Sequence, residues 1–328
     1  MPHQHVRQAP TNRRRTPLDQ ALSPAVLRDY ALLADGHRGA LVGPDGDIGW
    51  LCAPGWSDPA VFDSLLGGLG RFLVAPTGRH VWGGHYEPGS LIWRSRWVTE
   101  DGIVVSREAL VYPGEADRLV LLRQIHALDR PARVRVVLDP RADFGREPIH
   151  DITRDQDRWL ARTGGLWLRL HGGERLRRDR QGFLAGELTI PAGGSHDLVL
   201  ELAAGPLERS YAPPGELWRI TERHWASVIP SLDGPARRDA TLAYAVLRAM
   251  TRPGGGMVAA ATAGLPERAM AGRNYDYRYA WIRDQSFAGQ AAALVGRYDL
   301  LDDAVAFLTE GHVRAGGVRD GHRVIRSD

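Results

Sequence analysis

The chain has 328 residues, 43% of them hydrophobic and 25% charged, enough for two sizeable cores and ordinary for a globular protein. No apolar run reaches membrane-spanning length, and Arg13-Arg14-Arg15 lacks the apolar stretch that a secretory signal needs, so the sequence points to the cytoplasm. The net charge is +3, and residues 1–22 account for it alone with Arg7, Arg13, Arg14 and Arg15 against Asp19, so nothing in the remainder suggests nucleic-acid binding.

Residues 1–24 form an Arg-rich tail without periodicity and are expected to be disordered. From Tyr30 to about Ala204 the pattern is β. Gly39–Val42 and Ile48–Leu51 flank the turn Pro44-Asp-Gly-Asp47. Leu91–Val98 and Ile103–Val111 flank Glu100-Asp-Gly102. Leu119–Ala127, Arg133–Leu138, Arg158–Arg162, Leu166–Leu170, Phe183–Ile190 and Asp197–Leu202 follow, separated by Gly and Pro. Many short strands at this spacing predict an antiparallel sandwich. Arg175, Arg177, Arg178 and Arg180 fall between two strands and read as a solvated turn. Cys52, the single cysteine, lies in a strand-like run and reads as a buried structural thiol; disulfides and cysteine zinc sites are excluded.

After Pro206 the period changes. Glu216–Val228 carries Leu217, Ile220, His224 and Val228 at helical spacing. Pro235–Met250 carries Leu242, Val246, Ala249 and Met250, and stops before Pro253-Gly-Gly-Gly256. Met257–Ala263 reads as extended. A third helix is expected at about Trp281–Leu294, ended by Gly296, and a fourth from near Leu300 to about Glu310; Gly311 to Asp328 shows no period. The expected domains are 25–205 (β-sandwich), 206–234 (helical linker) and 235–328 (helical).

Among the 12 His no HxxxH or HExxH pair occurs, so neither a metal nor another cofactor is expected. The absence of lysine excludes Schiff-base chemistry. The chemistry concentrates in Asn274-Tyr-Asp-Tyr-Arg-Tyr-Ala-Trp-Ile-Arg-Asp284. Arg283 and Asp284 fall in the first turn of a predicted helix, where free N–H groups favour a carboxylate. A guanidinium fork and a carboxylate can hold two neighbouring hydroxyls. Tyr277, Tyr279 and Trp281 alternate and would offer ring faces to a sugar. The same residues also suit a local ion pair over a packed aromatic core, and the residues alone leave both open.

This segment resembles the first signature of glycoside hydrolase family 15, which comprises glucoamylases, glucodextranases and related bacterial trehalases. Leu27–Gly36, Ala40–Cys52, Ser57–Phe62, Asp239–Leu242 and Met257–Glu267 also resemble the family, in order, over about Leu27 to Leu308. The resemblance implies a multidomain β + α fold: an N-terminal antiparallel β-sandwich followed by the first helices of an (α/α)6 toroid. It implies inverting hydrolysis of α-glucosidic bonds in an α-glucan, maltooligosaccharide or trehalose. Tyr277, Trp281, Arg283 and Asp284 match positions that hold the terminal glucose. Departures are Tyr275 for a common Trp, Ala280 for Cys, Ala261 for a frequent Pro and Gly49 for an Asp.

Inverting hydrolysis needs two carboxyls roughly 6.5–9.5 Å apart. In the family both are glutamates, and nothing after Leu308 resembles either segment. Glu310 is the only Glu after Glu267, so no catalytic residue is assigned and the two glutamates are expected beyond Asp328. The chain is thus expected to be an incomplete hydrolase. The alternative is a non-catalytic carbohydrate- or partner-binding protein derived from the family, whose exposed helix faces would need covering. Asp276 and Asp284 are both expected to serve substrate binding. Neither the choice between glucan and trehalose nor the oligomeric state follows from the sequence.

Overall fold

Two eight-stranded antiparallel sheets face each other across one apolar core, and the helices pack on the outside of one of them. The computed structural model describes residues 24–208, 212–264, 275–314 and 324–325; the expected tail, most of residues 315–328 and the first residue of the signature, Asn274, lie outside the described residues.

The strands are β1 (Ala31–Ala34), β2 (Gly39–Val42), β3 (Asp47–Cys52), β4 (Ala60–Phe62), β5 (Arg71–Pro76), β6 (His80–Tyr86), β7 (Trp93–Thr99), β8 (Ile103–Leu110), β9 (Arg118–Ala127), β10 (Ala132–Asp139), β11 (Glu147–Pro148), β12 (His150–Asp155), β13 (Arg158–Thr163), β14 (Leu166–His171), β15 (Arg177–Arg178), β16 (Leu184–Ile190) and β17 (Ser195–Ala203). The first sheet runs β1-β2-β3-β5-β10-β16-β15, with β4 beside β3. The second runs β12-β13-β14-β17-β9-β8-β7-β6. The β2–β3 turn depends on Gly46: its φ of +74° favours glycine, and an added Cβ would stand 2.0 Å from the Val74 carbonyl oxygen.

Alternation decides which face each side chain takes. On β9, Leu119, Leu121 and Ile125 enter the inter-sheet core, while Val120 and Leu122 face the helices. Arg123 also points between the sheets, fully buried. It pairs with buried Glu108 of β8 and donates to the carbonyls of Phe72 on β5 and of Gly46 in the β2–β3 turn, both 2.6 Å away across the core. Ser95 and Ser106 donate to the same Glu108 carboxylate. One guanidinium therefore links the two layers, and every charge in the cluster has a partner, as burial of charge demands.

The outer face of the second sheet is covered by α2 (Pro214–Val228) and α3 (Arg237–Met250). α2 begins with Pro214 in its first turn, where the missing N–H costs nothing. The buried side of α2 is Leu217, Trp218, Thr221 and Trp225, turned from the expected line through Ile220 and His224 because the two tryptophans offer the larger apolar surface. Arg107 of β8 lies 4.3 Å from the Trp218 ring centroid and pairs with Glu87 and Glu222.

α4 (Ile282–Leu294) and α5 (Tyr298–Arg314) form a helical hairpin. Gly296, with φ of +72°, turns the chain between them. α5 is held on α3 by Tyr244–Asp299 at 3.1 Å and Arg248–Asp303 at 2.9 Å. α5 starts earlier and ends later than its periodicity predicts. Val324–Ile325 (β19) pairs with Ala280–Trp281 (β18), in a region the sequence left without structure. The element α1 (Ala142–Gly145) is a left-handed turn, with φ of 50° at Asp143 and 53° at Phe144. Arg177 and Arg178, expected in a turn, add an exposed two-residue edge to β16. Met257–Ala263 makes isolated bridges and not a strand. Among the described residues no helix is long and apolar enough to cross a membrane.

Candidate functional site

The signature residues approach α4 as an extended segment wedged between the helices and the β3–β4 loop. Trp50 of β3 donates from Nε1 to the Ala261 carbonyl at 2.8 Å. Next to it, the amides of Ala260 and Ala259 donate to the carbonyls of Tyr277 and Tyr279 at 2.8 and 3.0 Å. The backbone of the aromatic run is thus tied through residues 259–261 to the first sheet.

Tyr277 and Trp281 stack, with centroids 5.6 Å apart and planes 20° apart, and Tyr275 meets Trp281 edge-on at 6.5 Å. Both stacked rings are half-buried and Tyr275 is exposed, so the trio is not packed core. Trp281 stays extended and precedes the first helical residue, Ile282. Its indole Nε1 is buried without a hydrogen-bond partner among the described residues.

Arg283 and Asp284 follow in the first turn of α4. Their side chains meet at 3.3 Å and are 66% and 33% exposed. An ion pair this open is worth ~0–1 kcal/mol, so stability gives little reason for it. Among the described residues Arg283 keeps free donors and Asp284 keeps free lone pairs, as hydroxyl recognition requires. The four predicted residues are therefore gathered at one helix end as an aromatic pair and an ionic pair.

Asp276 does something else. Its carboxylate accepts two bonds from Arg278 Nε at 3.0 and 3.2 Å, one from Nη2 at 2.7 Å and one from the Arg278 amide at 3.0 Å. Burial would raise its pKa, but the Arg278 bonds outweigh that and hold it below the usual carboxylate range. Asp276, expected to serve substrate binding, is thus held on both oxygens by Arg278.

Sequence reasoning passed over Arg278 and Gln285. Arg278, only 6% exposed, reaches into the β3–β4 loop, donating from Nη1 to the Asp58 carbonyl at 2.6 Å. Its alternation with Tyr277 and Tyr279 was the available signal, since the residue between two outward rings must point inward. Buried Gln285 accepts from the Met257 amide at 2.7 Å and donates to the Gly255 carbonyl at 2.9 Å, fixing the glycine-rich turn against α4. Cys52 is buried beside Arg278, and burial pushes its thiol up to about 12, so it is protonated and inert. Among the described residues no group of three or more His, Cys, Asp or Glu could hold a metal.

Residues 12–222 match the family description "Trehalase-like, N-terminal", and residues 239–325 match "Glycosyl hydrolases family 15". The chain belongs to glycoside hydrolase family 15. The trehalase of Mycobacterium tuberculosis is 29% identical, aligned over 90% of this chain and 47% of its own length. Trehalase 1 of Sulfolobus acidocaldarius is 33% identical over 82% of this chain and 46% of its own length. The chain spans about half the length of the curated relatives it matches. A bacterial glucoamylase, solved in complex with acarbose, superposes with a TM-score of 0.59 at 12% identity, covering 88% of this chain and 52% of that one, a likeness of fold.

Proposed function

We propose that this chain forms the terminal-glucose subsite of an inverting glycosidase that acts on α-glucosidic bonds, with trehalose as the first substrate to test. Tyr277 and Trp281 would stack on the sugar, and Arg283 and Asp284 would hold neighbouring hydroxyls. The observation that carries this reading is an open Arg283–Asp284 pair at the helix end bearing a half-buried aromatic stack. The names of the relatives favour trehalose over a glucan. We take 25–205 as a β-sandwich domain, 206–234 as a linker and 235–328 as part of an (α/α)6 domain.

No acid or base is assigned within the 328 residues. Asp276 is locked to Arg278 and Asp284 is read as a ligand to sugar hydroxyls. The second reading, a non-catalytic sugar- or partner-binding protein, draws support from Phe287, Leu294, Tyr298 and Val305, which are 55–88% exposed on α4 and α5. Titration with trehalose and maltose by calorimetry tests the subsite, and proton NMR of the same samples for released glucose tests whether this chain holds an acid–base pair. Saturable trehalose binding supports the subsite; its absence would count against it. Release of the β-anomer would place a complete acid–base pair in this chain and overturn the second reading.

A further inference from the structure

We infer that Arg278 is a positioning residue through which the β-sandwich sets the geometry of the sugar platform. The inference rests on the sugar-subsite reading and adds to it a role for the other half of the molecule. Arg278 sits between Tyr277 and Tyr279, yet its guanidinium crosses to a loop 220 residues away in sequence. Nη1 donates to the Asp58 carbonyl at 2.6 Å and lies 3.5 Å from the Trp56 carbonyl and 3.4 Å from Cys52 Sγ. Nε and Nη2 hold Asp276, which is in the same run. A planar fork can serve both sides at once, which a lysine ammonium cannot.

The loop that receives this side chain is itself well tied. Asp58 Oδ2 accepts the Gly55 amide at 2.8 Å. The Trp56 amide donates to the His37 carbonyl at 3.0 Å. On the far side, the Arg278 guanidinium carbon lies 5.7 Å from the centroid of Phe144, whose ring tilts against Trp50 at 6.5 Å. Phe144 occupies the left-handed region with φ of 53°, a conformation that bulky residues adopt only when surroundings hold it. The buried guanidinium is thus gripped by Asp276, the Asp58 carbonyl and a strained aromatic turn. Residues 277 and 279, on either side of it, are fixed through the amides of Ala260 and Ala259. A shift of this segment moves Tyr277 relative to Trp281 and so disturbs the face offered to the sugar.

The test uses the 328-residue chain with Arg278→Met, Arg278→Lys and Asp58→Ala, and with Asp284→Ala and Trp281→Phe as references. Trehalose affinity is measured by calorimetry, the aromatic stack by the near-UV circular dichroism band that Trp281→Phe removes, and melting temperature by scanning. We expect Arg278→Met to weaken trehalose binding by more than Asp58→Ala does and to diminish the Trp281 band. Arg278→Lys should recover only part of both. Asp58→Ala, which leaves Arg278 in place, should weaken binding severalfold and serves if Arg278→Met does not fold. A lowered melting temperature with affinity within about twofold of wild type and an unchanged band, measured well below melting, would overturn the positioning role. If the wild-type chain binds no trehalose, or Asp284→Ala has no effect, the subsite reading fails; the band still decides whether Arg278 sets the stack. If Asp284→Ala abolishes binding while the Arg278 and Asp58 variants are silent in both readouts, only the positioning inference fails.

Discussion

Glu201 on β17 offers the clearest quantitative test of the electrostatics. Its side chain is fully buried on the sheet face that the helices approach. Arg169 donates to it from Nε at 2.5 Å and Nη2 at 2.9 Å, and Arg118 from Nε at 2.8 Å; His171 stands 3.5 Å away. Arg169 also donates to the Leu207 carbonyl at 3.1 Å, so the cluster pins the start of the segment that leads to α2. Burial alone would raise the carboxyl, but His171, Arg169 and Arg118 outweigh it and hold it down from 4.5 to about 2. That difference corresponds to about 3 kcal/mol of stability. The folded value is depressed, so this contribution is complete above the unfolded value near 4.5 and is lost as pH falls through about 2. Urea denaturation of the wild type and Glu201→Gln at pH 7, 4.5, 3 and 2 reads it directly. The stability gap between the two proteins should be near its full size at pH 7, narrow steadily below 4.5 and largely close by pH 2. A gap that stays constant over this range would refute the linkage and assign the cost of the substitution to packing.

Arg123→Met should cost about 3–5 kcal/mol, since it leaves Glu108 charged and buried between the sheets; denaturant melts check this, and a loss under 1 kcal/mol would show that the inter-sheet link is dispensable. Cys52, with its thiol pushed up to about 12, should resist a thiol reagent at pH 8 in the native protein and react fully once unfolded; rapid native reaction would contradict its burial. The 328-residue chain should release no glucose from trehalose or maltooligosaccharides at an enzymatic rate, because Asp276 is tied to Arg278 and the described carboxylates of the signature offer no opposed acid and base.

The β-sandwich was legible because Gly and Pro punctuate strands whose apolar residues alternate, and the tips Asp45-Gly46 and Asp101-Gly102 fix two hairpins. Strands β1, β4, β5, β6, β11, β12 and β15 were missed: β6 and β12 are mostly exposed edge strands rich in polar residues. The α2 face was misjudged because period alone cannot weigh Trp218 and Trp225 against Ile220. At the site, residue type alone left a sugar clamp and a local ion pair over aromatic core both open; the resemblance singled out Tyr277, Trp281, Arg283 and Asp284, and the structure gathers them at one helix end. Alternation could have turned Arg278 inward, but it could not name its partner, a backbone carbonyl in another part of the fold. Asp276 looks available in the motif until its cation, Arg278 only two residues on, is placed.

The central claim is that Arg283 and Asp284, beside the Tyr277–Trp281 stack, hold a terminal glucose. Calorimetric titration of the wild-type chain and Asp284→Ala with trehalose tests it most directly. The claim predicts saturable binding by the wild type, weakened at least tenfold in Asp284→Ala with the melting temperature unchanged, since the pair is too open to carry stability. Equal binding by the two proteins, or none by the wild type, would contradict it.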